Sequence, residues 1–288
     1  MRTPFIVGLV LLAILLAAGF AFDSGDKPAP TRAKTEPATP IATIERRVEA
    51  IRDLRFRSLP RPQTVSPAQA KRDGLEDLDR NYPAARRPEK LAGAAQELRH
   101  AGYEVEEVPA NLTSEEEIQN VVARHRERHG RLDVLVNNAG VGIGAPVAEH
   151  QTKRVDMQLD LNLRAIILFY RECADLLRAA GAEHKNALVV NTASIAGKSG
   201  QPWLSVYSAT KFAVVGWTQS MNKELNGEGI KSLALCPGFV ETAMTEFIRD
   251  QVPAEEMIRP SDVAEAVRYA LHVSPACVIP EIIFQRPG

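Results

Sequence analysis

Between Pro88 and Gly238 short apolar runs alternate with longer segments whose apolar residues recur at helical spacing, and few folds accommodate that alternation. LDVLVNNAG and NALVVNTAS read as strands buried on both faces, and KSLALCPG and YEVEEVPA read as two more. PEKLAGAAQELRHAG is predicted to be an amphipathic helix stopped by Gly102. SEEEIQNVVARHRERHG is a second, opened by Ser114 as N-cap and closed by Gly130. One long helix is expected through VDMQLDLNLRAIILFYRECADLLRAAG, and another from Ser205. Strand-helix alternation of this kind predicts an α/β fold, a parallel sheet with helices on both faces. Such sheets bind ligands beyond the carboxyl ends of their strands. The polar clusters Asn111, Asn137-Asn138-Ala139-Gly140, Ser194 and Pro237-Gly238 fall at those ends.

The front of the chain has a different texture. Residues 5 to 22, FIVGLVLLAILLAAGFAF, carry no charge and are long enough to cross a bilayer core, so they read as a membrane anchor or an uncleaved signal. Arg2 before the run and Asp23 and Asp26 after it favour the N-terminus inside, without fixing the side of the catalytic domain. Residues 23 to 43 are rich in Pro, Ala and Thr and read as a disordered linker. Residues 44 to 85 hold a short amphipathic helix, IERRVEAIRDLRF, then a polar helix begun by Ser66 and Pro67, and no recognisable chemistry. A net charge of -1 over 288 residues gives no electrostatic reason to expect nucleic acid. Cys173, Cys236 and Cys277 have neither metal nor disulfide spacing, which suits a reducing compartment for the body of the chain. His125, His129 and His150 lie on charged stretches and are expected to be solvated, with no metal partner.

Tyr207 and Lys211 stand four apart on the predicted helix from Ser205 and so share one face. A phenol titrates near 10 and is a poor acid-base catalyst at neutral pH, whereas a neighbouring ammonium stabilises the phenolate and lowers that value. Ser194 follows the strand ALVVNTA, where its hydroxyl can be held against a substrate carbonyl. Asn162 lies within DLNLR, where an amide can hold water for proton relay.

In this order and at these separations, Asn137-Asn138-Ala139-Gly140, Asn162, Ser194, Tyr207-x-x-x-Lys211 and Pro237-Gly238 with Thr242 resemble the short-chain dehydrogenase/reductase superfamily, over residues 86 to 288. The resemblance implies a Rossmann-like sheet and NADP or NAD as cofactor, with hydride transfer to a carbonyl or from a secondary alcohol. It implies Tyr207 as acid/base, Lys211 tuning it and binding the nicotinamide ribose, Ser194 polarising the carbonyl and Asn162 supporting the relay. Asn111 and Leu112 match the adenine side, where Asp is commoner than Asn; Asn138, Ala139, Gly140, Val240 and Thr242 match positions near the cofactor. Arg86 and Arg87 favour NADP. Relatives often pair as homodimers through the helices that carry Asn162 and Tyr207. The substrate is expected to be a moderately apolar small molecule, from Phe239, Met244, Phe247 and Ile248; Trp203 and Trp217 read as packing.

One part of the family pattern is missing. Its opening strand, T-G-x-x-x-G-x-G turn, helix and second strand do not occur in residues 1 to 110. Residues 1 to 85 instead resemble the N-terminal region of membrane-anchored bacterial proteins, so the chain reads as a fusion that truncated a reductase near Ala84-Ala85-Arg86-Arg87. Three lost charge-assisted bonds to pyrophosphate cost on the order of 5 kcal/mol, more than a thousandfold in affinity. The missing strands belong between YEVEEV and LDVLVNN, leaving the latter with an unpaired edge. Two expectations therefore stand side by side: an oxidoreductase working through Tyr207, and a membrane-tethered remnant that binds no cofactor and in which Tyr207→Phe changes little.

Overall fold

The computed structural model describes residues 88–249 and 251–287. Four strands, β1 (Val134–Asn137), β2 (Ala187–Thr192), β3 (Ile230–Pro237) and β4 (Glu281–Phe284), form one sheet in that order, every pair parallel. Val136 sits opposite Val190, Val190 opposite Leu233, and Leu235 opposite Ile282. Successive side chains leave a strand on opposite faces. On one face Leu135, Val189, Ala234 and Cys236 pack with residues of α2 (Glu115–His129), α4 (Ala165–His184) and α5 (Ser205–Leu225). On the other, Leu188, Val190, Leu233 and Leu235 meet Val263, Val267 and Ala270 of α6 (Pro260–His272). Helices thus cover both faces, and the near-continuous apolar runs of β2 and β3 follow from that double cover. Each fully buried side chain, such as Leu177 or Val189, contributes about 1.5–3 kcal/mol by leaving water.

Local chemistry sets the helix ends. The Ser114 side chain accepts from the Glu117 backbone N–H, and three glutamates open α2 against its positive end. Gly130 closes the helix at φ 68°, a left-handed conformation that a Cβ disfavours. The helix α1 (Pro88–His100) ends before Gly102, whose N–H bonds back to Arg99.

One expectation needs correcting. Tyr103–Ala110 is not a strand: the segment runs without ladder pairing, because a strand exists only beside a partner, and among the described residues β1 is the outer strand of the sheet. The expected long helix runs unbroken as α3 (Thr152–Leu159), a π-helical turn at Asp160–Arg164 and α4, and Asn162 in that turn is fully buried. The helix α6 and strand β4 went unread. Pro260 at the first turn, an Asp262 carboxylate on the Arg259 N–H, and apolar Val263, Val267, Ala270 and Leu271 at helical spacing are the signals for α6.

Among the described residues no helix is long and apolar enough to cross a membrane. The run 5–22, the linker 23–43, the segment 44–85 and Arg86 and Arg87 lie outside the described residues.

Candidate active site

The carboxyl ends of β1 and β2 open into loops that converge on the first turns of α5. Tyr207 is buried there, and Lys211, one turn on, has its Nζ 5.6 Å from the centre of the Tyr207 ring. Lys211 Nζ donates to the Thr192 carbonyl at 2.7 Å, which ties α5 to the end of β2. Ser194 follows two residues later; its Oγ accepts from the Ala196 N–H at 3.1 Å and donates to the Pro237 carbonyl at 3.4 Å, linking the ends of β2 and β3. Lys198, at the foot of that loop, pairs with Glu281 at 2.9 Å and fixes the loop to β4.

Asn162 is the hinge of the arrangement. Its Oδ1 accepts from the Val141 N–H at 2.7 Å, and its Nδ2 donates to the Val141 carbonyl at 2.8 Å and to Thr210 Oγ1 at 3.1 Å. Both side-chain N–H groups are thereby engaged by protein, so the amide pins the loop after β1 to α5. Gln158 repeats the device one turn earlier, its Oε1 accepting from the Ile143 N–H at 3.0 Å. At Gly140 an added Cβ would stand 3.1 Å from Asn162 Oδ1 and 3.3 Å from Lys211 Nζ. The bare glycine backbone lets Asn162 and Lys211 approach this closely.

Electrostatics here differ from the sequence expectation. Burial pushes the Tyr207 phenol above its usual value, against a smaller downward pull from its hydrogen bond with Ser194. Burial also brings Lys211 down to about 8, opposed by the Cys236 thiol. Tyr207 is therefore a neutral phenol at pH 7. The reason is desolvation: both groups are enclosed, so the charged form of each is disfavoured.

Residues 75–253 match the short chain dehydrogenase family. The chain belongs to that family. The matched region starts earlier and ends sooner than the 86–288 expected from motifs. A Streptomyces coelicolor protein provisionally named a ketoacyl reductase is 36% identical over 229 residues, 73% of this chain and 86% of that protein. An alcohol dehydrogenase from the archaeon Thermococcus sibiricus, solved with 5-hydroxy-NADP, superposes with a TM-score of 0.62 at 25% identity, covering 70% of this chain and 86% of that one. A metagenomic short-chain oxidoreductase solved with NADP gives 0.58 at 29% identity, over 69% and 82%. By family this chain is an NAD(P)-dependent short-chain oxidoreductase with a Rossmann-like α/β fold.

The remaining residues expected on the cofactor side fall into two groups. Leu112, Asn138 and Ala139 come together with Val136, Leu161 and Phe169 around a small cleft along the outer edge of β1, with room for little more than a water molecule. Asn138 Oδ1 accepts from Thr192 Oγ1 at 2.8 Å. Asn111 turns away from that group: its Oδ1 accepts from Thr113 N and Oγ1, and its own N–H goes to Glu117. Gly238 N–H donates to the Phe284 carbonyl, and the Val240 carbonyl accepts from Thr242 Oγ1 and Thr245 Oγ1, so Pro237–Thr242 forms a braced corner above β3 and β4. A nicotinamide cofactor would be met here by Lys211 Nζ with the side-chain-free Gly140 beside it, and by Leu112, Asn138 and Ala139 along β1. No group of three or more metal-ligating side chains occurs among the described residues.

A buried polar chain that sequence reading missed lies beneath the site. Asn137 Nδ2 donates to Asn191 Oδ1, Asn191 Nδ2 donates to Tyr170 and Thr218, and Tyr170 donates to Ser232 Oγ. Asn222 closes it on the Ser232 backbone. Its one sequence signal was an asparagine inside the otherwise apolar run ALVVNT. His125 and His150, expected to be solvated, are engaged: His125 Nε2 meets the Arg131 carbonyl and its pKa is lowered by burial, and His150 Nε2 meets Ser205 Oγ at 3.0 Å.

Proposed function

We propose that this chain interconverts a carbonyl compound and the corresponding secondary alcohol, with Tyr207 as the acid/base. The observation that carries the reading is the enclosure of Tyr207, Ser194 and Lys211 together at the ends of β2 and β3, with Lys211 Nζ beside Gly140. NADP or NAD, when bound, supplies or accepts the hydride. Ser194 orients the carbonyl oxygen, and the neutral Tyr207 phenol protonates it as negative charge develops. Lys211, held by the Thr192 carbonyl, stands ready to meet the ribose hydroxyls and to stabilise the phenolate left behind. Asn162 keeps the loop after β1 against α5. Burial of this group excludes water that would otherwise level the proton transfer.

A ketoacyl compound is the substrate class favoured by the name of the Streptomyces coelicolor relative. Phe239, exposed beyond β3, and Met244 support a moderately apolar one. The proposal extends to a homodimer through the helices around Asn162 and Tyr207, where Leu159 and Phe212 leave apolar surface exposed. It extends also to membrane attachment through residues 5–22 and to NADP over NAD through Arg86 and Arg87. The rival reading, a remnant that binds no cofactor, is favoured by the absence of the T-G-x-x-x-G-x-G turn from residues 1 to 110.

The test is NADPH oxidation with a ketoacyl thioester by the full chain and by Tyr207→Phe. Loss of roughly 10²-fold or more in the variant supports the proposal. Equal rates in both would leave Tyr207 idle and favour the remnant.

A further inference from the structure

Two loops leave the carboxyl ends of β1 and β2, and Trp203 of one meets Gly144 of the other. Trp203 lies four residues before Tyr207, and its ring is laid against Gly144: a Cβ added there would come within 2.3 Å of Trp203 Cε3 and 2.4 Å of Cζ3. The Trp203 carbonyl accepts from the Ala145 N–H at 2.9 Å, and His150 Nε2 meets Ser205 Oγ at 3.0 Å, so the contact is a clasp of three links. The Trp203 backbone has φ 68°, a left-handed conformation that bulky side chains seldom adopt. A tryptophan held in that conformation, against a glycine with no room for a methyl group, is a local cost that the surrounding packing overrides.

The clasp sits where an α/β sheet receives its ligand, between the carboxyl-end loops of neighbouring strands. One loop carries Gly140, beside Lys211; the other starts at Ser194 and ends in the helix of Tyr207. We propose that drawing these loops together narrows the approach to the phenol and makes Trp203 a specificity-determining residue: by closing on Gly144 it limits the carbonyl compounds that reach Tyr207 to slender ones and shuts out globular, branched ones. This rests on the carbonyl/alcohol reading of the same site and adds the width of its entrance.

The test compares two ketones, slender 2-butanone and globular 2-adamantanone, by saturation-transfer NMR on the full chain, which reports binding without turnover. Trp203→Gly removes the ring and suits the left-handed backbone; Trp203→Asn does the same with a residue that tolerates φ above zero, in case the glycine variant fails to fold. The expected result is a rise of at least about tenfold in the adamantanone-to-butanone signal ratio in either folded variant, a difference of roughly 1.4 kcal/mol in discrimination. An unchanged ratio, or no signal from either ketone in any of the proteins, overturns the inference. NADPH oxidation by the same proteins separates the two claims. A shifted ratio with no Tyr207-dependent oxidation sinks the redox reading and leaves the entrance; an unchanged ratio with oxidation intact does the reverse.

Discussion

The middle of the sheet and its β1 edge are built to different standards. The strands β2 and β3 have neighbours on both sides, helices on both faces, and burial at every position but the last of each. Among the described residues the four-residue β1 is paired on one side only, and the cleft beside it is lined by Leu112, Val136, Leu161, Ile166 and Phe169. The proton chemistry proposed for this chain belongs to the first region and the adenine-side residues proposed for it to the second. A reacting phenol must be positioned to fractions of an ångström, which doubly flanked strands provide; a side chain over an edge strand has half the support.

The comparison can be broken in four places. Tyr207→Phe at the middle of the sheet is the largest, with turnover expected to drop at least ~10²-fold in NADPH oxidation while the unfolding midpoint stays close to that of the parent chain. Asn191→Ala comes next. It leaves Asn137, Tyr170 and Thr218 with unmet partners in a buried network, and a loss of about 3 kcal/mol is expected in urea unfolding. A loss below ~1 kcal/mol would mean that water takes the place of the amide.

Lys211→Met probes the electrostatics. The folded-state pKa of Lys211 lies near 8, below its ordinary 10.5, so between those values the unfolded chain holds more protons and stability rises with pH. Wild type is expected to gain about 2 kcal/mol relative to the variant from pH 7 to pH 10, read as the difference between their unfolding curves. Parallel curves would show that Lys211 is solvated. The smallest effect belongs to the edge: Val136→Ala, half-buried against the cleft, is expected to cost about 1 kcal/mol or less. A cost above ~2 kcal/mol would show that the edge is packed as well as the middle, and the contrast would fall.

The same contrast governed what could be read in the sequence. The strands β1, β2 and β3 were legible because double burial writes an uninterrupted apolar run, and α2 because Ser114 and Gly130 mark its ends. Tyr103–Ala110 misled because alternation signals only a willingness to pair, and pairing depends on a neighbour that the segment itself does not encode. Asn162, Ser194, Tyr207 and Lys211 stood out by spacing, and the structure gathers them. What spacing did not carry was their environment. The engaged amide of Asn162, the upward shift of Tyr207 and the left-handed Trp203 all arise from contacts between distant loops. Trp203 in particular read as packing, because backbone conformation leaves no mark in a residue name.

The proposed reaction requires the groups over β2 and β3 to hold a nicotinamide cofactor beside Tyr207, and a fluorescence titration of NADPH against the full chain reads that binding. Saturable binding on the order of micromolar is expected, weakened about tenfold or more by Lys211→Met. No saturable binding up to roughly millimolar NADPH or NADH would contradict it, and would leave the Tyr207 site an inherited arrangement without a reaction.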